Sequence, residues 1–290
     1  MPQFTILIPT FDHGETIRFP LECVRGQTRQ DYEVFIVGDG VPPESEQRLK
    51  DCAATDGRIS FFPFPKHVSR GEPNRHQVLQ QARGEIVCYL TDRDLWLPDH
   101  LERMQALLGS ANFAHSLGLH VMPGDELRFF PVDLANANDR DRMLQRFNRV
   151  PLSCAAHRLD FYRRLPRAWE TTPPGKPTDW HMFQQFLEHP GCRIRSGTYP
   201  SAVTFPSPPR RGWTRQRRLE ELALWKARID THEARQTLVQ EVLEAAIRSR
   251  DAEREELLGQ IAGIHRSVVW RLGRRLRNIP GVRMLRSLLR

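Results

Sequence analysis

The sequence is short of the usual nucleotide-binding and hydrolytic signatures. No G-x-G-x-x-G follows its first apolar run, no Walker A sequence occurs anywhere, and no G-x-S-x-G elbow is present. These absences argue against a dinucleotide enzyme, a P-loop and a strand-borne nucleophile. Cysteine is sparse: Cys23, Cys52, Cys88, Cys154 and Cys192 are scattered, with no C-x-x-C and no histidine cluster beside them. An odd, dispersed set suits small buried hydrophobes in a reducing cytoplasm better than a disulfide framework. No apolar run approaches the length of a membrane span. MPQFTILIPT carries no basic n-region and no cleavage site, so it reads as a first strand and not as a signal peptide.

Acid is missing from one stretch altogether. Residues 265–290 hold eight arginines and no Asp or Glu. The whole chain has 43 Lys and Arg against 35 Asp and Glu, so the net charge of +8 resides in that tail and the rest balances. A pI near 9.7 would point to a nucleic-acid partner if it were spread over the body. Concentrated in a tail it carries no such argument, and no nucleic-acid partner is expected.

What is present up to residue 109 is an alternation of strand and helix signals. Strands are expected at Phe4–Ile8, Tyr32–Val37, Ile59–Phe62 and Ile86–Leu90, each apolar and rich in β-branched or aromatic residues. Helices are expected at 14–27, 43–54, 73–83 and 98–108, the last closed by Gly109. This alternation predicts a mainly parallel sheet with helices on both faces. Residues 111–210 are less regular. They suggest a hairpin around His120–Phe130, a helix near 139–149, a strand-like Leu152–Ala156 and a helix over Thr178–Leu187. SPPRRGW (207–213) looks like a boundary. Trp213 to Leu258 contains no Gly or Pro and is expected to be a long helix or a helix pair.

In open parallel sheets ligands sit beyond the carboxyl ends of the strands. Those ends read Pro9-Thr10-Phe11, Gly38-Asp39-Gly40 and Thr91-Asp92-Arg93-Asp94. Asp39 between two glycines can accept hydrogen bonds from a base or a ribose, or serve as an ordinary turn aspartate. Asp92 and Asp94 can hold a hard divalent cation against a diphosphate, or pair with Arg93 in a solvated loop. Arg93 can also grip phosphate itself. Arg70 and Arg75, around the start of the third helix, can neutralise phosphate or be plain solvated arginines. Asp179 opens the 178–187 helix, where it suits a cap or a general base, with His181 as a partner or a packing residue.

As an ordered set, ILIPTFDHGETI, QTRQDYEVFIVGDG, NRHQVLQQARGEIVCYLTDRDLWLPDHLERM and, more loosely, KPTDWHMFQQFL resemble the family 2 glycosyltransferases. The match is good over residues 3–110 and loose over 150–206. The resemblance implies an α/β GT-A fold, Rossmann-like, with a C-terminal helical extension. It implies a nucleotide-sugar-binding half (1–110), an acceptor-binding half (111–210), a helical extension (211–264) and a basic amphipathic tail (265–290). It also implies inverting, hexosyl-type transfer from a nucleotide-diphosphate sugar, UDP- or dTDP-linked, to an acceptor that is a glycan or lipid-linked. Carried over residue by residue, Pro9, Thr10, Phe11, Asp39, Arg70, Arg75, Asp92 and Arg93 bind the donor and Asp179 is the base. Asp92 and Asp94 hold Mg²⁺ or Mn²⁺. The sequence departs from the family at Arg93, where an acid is usual and a guanidinium cannot ligate a cation. That departure leaves three readings open: Asp92 or Asp94 takes the metal, Arg93 replaces it as the positive charge on the diphosphate, or the chain is an inactive GT-A-like scaffold or partner-binding protein acting through its C-terminal helices.

The tail HRSVVWRLGRRLRNIPGVRMLRSLLR places Val268, Val269, Leu272, Leu276 and Ile279 near one helical face among arginines. Such a helix suits an anionic membrane surface, or packs its apolar stripe on the chain's own body or on a second subunit, and membrane contact or self-association is expected through residues 213–290. The expected location is cytoplasmic, peripheral on the inner membrane face.

Overall fold

The computed structural model describes residues 1–12 and 14–267. Its first strands are built to be covered on both sides. β1 (Phe4–Thr10) and β2 (Tyr32–Asp39) are buried almost throughout, as parallel strands sandwiched by helices must be. They pair in parallel with each other, with β3 (Ile59–Phe64) outside β2 and β4 (Ile86–Tyr89) on the other side of β1. The crossovers are α1 (Arg18–Arg25), α2 (Pro43–Ala54) and α3 (Glu72–Leu79). α1 and α3 are shorter than their apolar periodicity suggests. α3 ends at Leu79, and Gly84 beyond it passes against β1, where an added Cβ would lie 2.4 Å from the backbone of Phe4 and Thr5.

After β4 come β5 (Leu95–Trp96), α4 (His100–Leu108), β6 (Phe113–Val121) and β7 (Leu127–Phe129). β6 and β7 form the expected hairpin. Next are α5 (Ala137–Gln145), a 3₁₀ turn at Leu152–Cys154, β8 (Ala155–Arg158), α6 (Leu159–Tyr162), α7 (Thr178–Glu188) and β9 (Ile194–Thr204). The strand expected at Leu152–Ala156 is therefore half turn, and its strand begins only at Ala155. Among the described residues the sheet has nine strands in the order β3-β2-β1-β4-β8-β6-β9-β5, with β7 beside β6. β8 runs antiparallel to β4 and β6, and β9 parallel to β6. β9 then pairs antiparallel with β5, just after the 92–94 loop, so residues 204–207 return to the carboxyl end of β4.

Trp213–Leu258 resolves into a helix pair, α8 (Arg215–Asp230) and α9 (His232–Arg266). α8 buries Leu222, Trp225 and Ile229, a stripe at helical spacing. Its Trp225 indole donates to Asp125 Oδ1 at 2.9 Å. Just before it, Arg210 is buried, with its guanidinium bonded to Glu221 at 2.6–2.7 Å and to the Val121 carbonyl at 2.9 Å. The 207–213 segment is thus a packed connection. One compact unit spans Met1–Val239 and a second begins at Gln240. The described part of the second unit is the remainder of α9, with Leu243, Ile247, Leu257, Leu258, Ile261 and Ile264 exposed along it. Most of the tail face proposed for residues 265–290, from 268 onward, lies outside the described residues.

Candidate active site

A pocket of about 820 Å³ opens at the carboxyl ends of β1, β2 and β4. All ten candidate residues line it: Pro9, Thr10, Phe11, Asp39, Arg70, Arg75, Asp92, Arg93, Asp94 and Asp179. Registry explains the first group. Thr10 lies beside Gly38 across the β1–β2 pair, so the ends of the two strands stand side by side.

Asp39 ends β2 and is 6% exposed. Its Oδ2 pairs with the Lys66 ammonium and its Oδ1 accepts from the His67 N–H at 2.7 Å. The start of α3 presses against it through Gly71, whose φ of 69° is left-handed. A Cβ there would sit 3.0 Å from Asp39 Cβ and Cγ.

One residue on, Glu72 is fully buried and ties two loops together. It accepts from Ser69 Oγ and the Arg70 N–H at 2.9 Å, and from the Thr172 N–H at 3.2 Å. Burial alone would raise its pKa. The hydrogen bonds from its own N–H, Arg70, Thr172 and Ser69 outweigh that and lower it to about 2.

Arg75 lies one turn along α3 and is 5% exposed. Its guanidinium rests 4.7 Å above the Trp169 ring, and Nη2 donates to the Arg70 carbonyl at 2.7 Å. Trp169 is held in turn by its own donation to Tyr89 Oη at 2.9 Å, and Tyr89 Oη meets His157 Nε2 at 2.7 Å. Arg75 Nε and Nη1 find no hydrogen-bond partner among the described residues. Burial pushes the Arg75 pKa down, against the pull of Glu72, Tyr89, Asp179 and Asp39.

The 92–94 loop divides its labour. Asp94 is buried with both oxygens engaged: Oδ2 accepts from Ser153 Oγ at 2.6 Å and Oδ1 from the Phe205 N–H at 2.9 Å. Asp92, 2% exposed, stands 3.5 Å from Arg93 Nη1. Among the described residues Arg93 Nε is buried without a hydrogen-bond partner, as are Thr10 Oγ1 and Thr91 Oγ1.

The divalent metal expected on Asp92 and Asp94 does not fit these side chains. Asp94 acts as a strut between β4, the 3₁₀ turn and the end of β9. Asp92 faces a guanidinium. Among the described residues no group of three or more His, Cys, Asp or Glu is placed to hold a metal ion.

Asp179 lines the same pocket from the first turn of α7. It does not occupy the cap position, which is Pro177. Its Oδ1 accepts from the Trp180 N–H at 2.8 Å. The residue is half-buried. Burial raises its pKa above the ordinary 3.8, opposed by the Trp180 N–H and by the charges of Arg75 and Arg70. His181 turns away and meets Glu170 at 3.0 Å.

Sequence reasoning missed Lys66, Glu72 and Trp169. It also missed the far side of the pocket, where Phe130 and Phe147 are 42% and 38% exposed and flank the Arg149 guanidinium at 5.9 and 4.8 Å. Exposed aromatics on a pocket rim were the available signal.

Residues 5–166 match the family described as Glycosyl transferase family 2. A curated relative from Campylobacter jejuni, named GalNAc(5)-diNAcBac-PP-undecaprenol beta-1,3-glucosyltransferase, is 26% identical over 120 residues, 41% of this chain and 38% of its own length. The amylovoran biosynthesis glycosyltransferase AmsB of Erwinia amylovora is 26% identical over 110 residues, 37% of this chain and 36% of its own length. The matched stretch thus spans little more than a third of either relative. The crystal structure of S. aureus TarS in complex with UDP-GlcNAc superposes with a TM-score of 0.56 at 15% identity, covering 84% of this chain and 72% of that one. The fold is GT-A, and with more than half of its length matched the chain belongs to glycosyl transferase family 2.

Proposed function

We propose that the chain transfers a sugar from a nucleotide-diphosphate donor to an acceptor hydroxyl, with inversion at the anomeric carbon. One observation carries this reading: a half-buried carboxyl, Asp179, shares a single pocket with the buried Arg75 and the more exposed Arg70 and Arg93. Nucleoside and diphosphate occupy the side of Pro9, Thr10, Phe11, Asp39, Arg70, Arg75 and Arg93. The acceptor enters past Phe130, Phe147 and Arg149.

The Asp179 carboxylate takes the proton of the acceptor hydroxyl. The acceptor oxygen bonds to the anomeric carbon, and the bond from that carbon to the diphosphate oxygen breaks with its electron pair on the diphosphate. A carboxyl whose pKa is raised by burial is a stronger base for this step, and Arg75 and Arg70 still favour its ionised form.

A UDP- or dTDP-sugar is the donor to try first, given that TarS is seen with UDP and with UDP-GlcNAc. A lipid-linked glycan is the acceptor to try first, following the name of the Campylobacter relative. Such an acceptor would draw a cytoplasmic enzyme to the inner membrane face. Among the described residues no helix is long and apolar enough to cross a membrane. The scaffold reading is not favoured, since it leaves the buried Arg75 of the pocket without a purpose.

The test is Asp179→Asn. Transfer should fall by about 10²–10⁴ in kcat, while UDP binding measured by calorimetry stays within about twofold of the parent. Normal turnover in Asp179→Asn would remove Asp179 as the base.

A further inference from the structure

Four side chains that line the pocket carry buried polar atoms with no hydrogen-bond partner among the described residues: Thr10 Oγ1, Arg75 Nε and Nη1, Thr91 Oγ1 and Arg93 Nε. Thr10, Arg75 and Thr91 are 9% exposed or less. A buried donor left unmatched costs on the order of 1–3 kcal/mol, and more when charged, so a run of them is not neutral packing. Both cations have neighbours that orient them. Trp169 and the Arg70 carbonyl hold Arg75, and Asp92 holds Arg93. Asp94, the carboxylate of the same loop, already accepts a hydrogen bond on each oxygen, from Ser153 Oγ and from the Phe205 N–H.

We infer that the donor diphosphate is held by the protein's own cations, Arg93 and Arg75 with the Thr10 and Thr91 hydroxyls, and that donor binding and transfer need no divalent metal. The inference rests on the transferase reading above and deepens it. Guanidinium forks match phosphate oxygens in pairs, which a single ammonium cannot do. As the bond from sugar to diphosphate breaks, the leaving diphosphate gains one negative charge. That charge falls on oxygens facing Arg93 and Arg75, and neither arginine gains or loses a proton. Asp92 is then a positioning residue for Arg93 and not a metal ligand.

The experiment uses the full chain and UDP as the probe. Calorimetric titration is run in EDTA, in Mg²⁺ and in Mn²⁺, and donor turnover with UDP-sugars is followed under the same conditions. The expected result is a Kd that changes less than about twofold among the three. Arg93→Met should weaken UDP binding by about a hundredfold with or without metal. Arg93→Lys should recover only part of that loss, because it restores the charge without the fork. The metal comparison on the parent protein stands even where Arg93→Met fails to fold. Binding that appears only with Mn²⁺ or Mg²⁺ overturns this inference and leaves the transferase reading in place. No binding of any nucleotide diphosphate under any condition overturns both.

Discussion

The two ends of strands β1, β2 and β4 handle buried charge in opposite ways. At the amino ends, Glu33 is 3% exposed and fully satisfied. It accepts from Thr5 Oγ1 at 2.8 Å, from the Arg83 N–H and Nε at 2.7 and 2.8 Å, and from the Gly84 N–H at 3.3 Å. At the carboxyl ends, Arg75 is about as deeply buried, yet one nitrogen donates to a carbonyl and two have no hydrogen-bond partner among the described residues. A closed network of this kind ties chain segments together and contributes to stability. An open one is tolerated only where something else supplies the missing partner. The difference separates the structural end of the sheet from its working end without reference to any ligand.

The comparison breaks most visibly at Arg75. Arg75→Met should lower kcat/KM for transfer by about 10²–10³, and thermal unfolding should show stability unchanged or raised, because an uncompensated buried charge has gone. A melt that drops together with activity would make Arg75 a structural residue like Glu33. The mirror case is Glu33→Gln, which should cost about 1–3 kcal/mol in urea unfolding and leave the Kd for UDP within about twofold. Gly71→Ala sits between the two, since it strains a left-handed turn and crowds Asp39. A loss of about 1–2 kcal/mol is expected, with a raised KM for donor and little change in kcat.

The smallest effects are in pH. The Glu72 pKa is lowered from 4.5 to about 2, so its contribution to stability is complete above pH 4.5 and is lost as pH falls toward 2. Glu72→Gln should flatten the stability curve over that window and little elsewhere. For Asp179 the shift is upward, so the acidic limb of the kcat profile should lie above the ordinary aspartate value of 3.8 and vanish in Asp179→Asn.

Much of this was legible in the residues. Strands β1, β2 and β4 announce themselves because parallel strands covered on both faces must be apolar throughout. The polar residues that interrupt those runs sit at strand ends, where the fold gathers them. β9 was not legible. IRSGTYPSAVT contains Gly, Pro and several polar residues and becomes a strand because β6 and β5 flank it. Asp94 looked like a ligand because nothing local marks Ser153 and Phe205 as its partners. Trp169, the platform under Arg75, lies in a loop with no periodicity to place it. Arg93 was legible as an anomaly, and its buried, unpartnered nitrogen is what gives the anomaly a meaning.

The hydrogen bonds of Asp94 reach residues 59 and 111 positions away in the chain. The loop closest to the expected chemistry is therefore locked by one of the later strands of the unit. Early strands can pair as they are made, but the nucleotide-facing loop acquires its shape only once residue 205 has docked. High sequence separation of this kind slows assembly. Nucleotide affinity should therefore emerge last during refolding, after the helical signal has recovered, and should be missing from any fragment that stops short of β9.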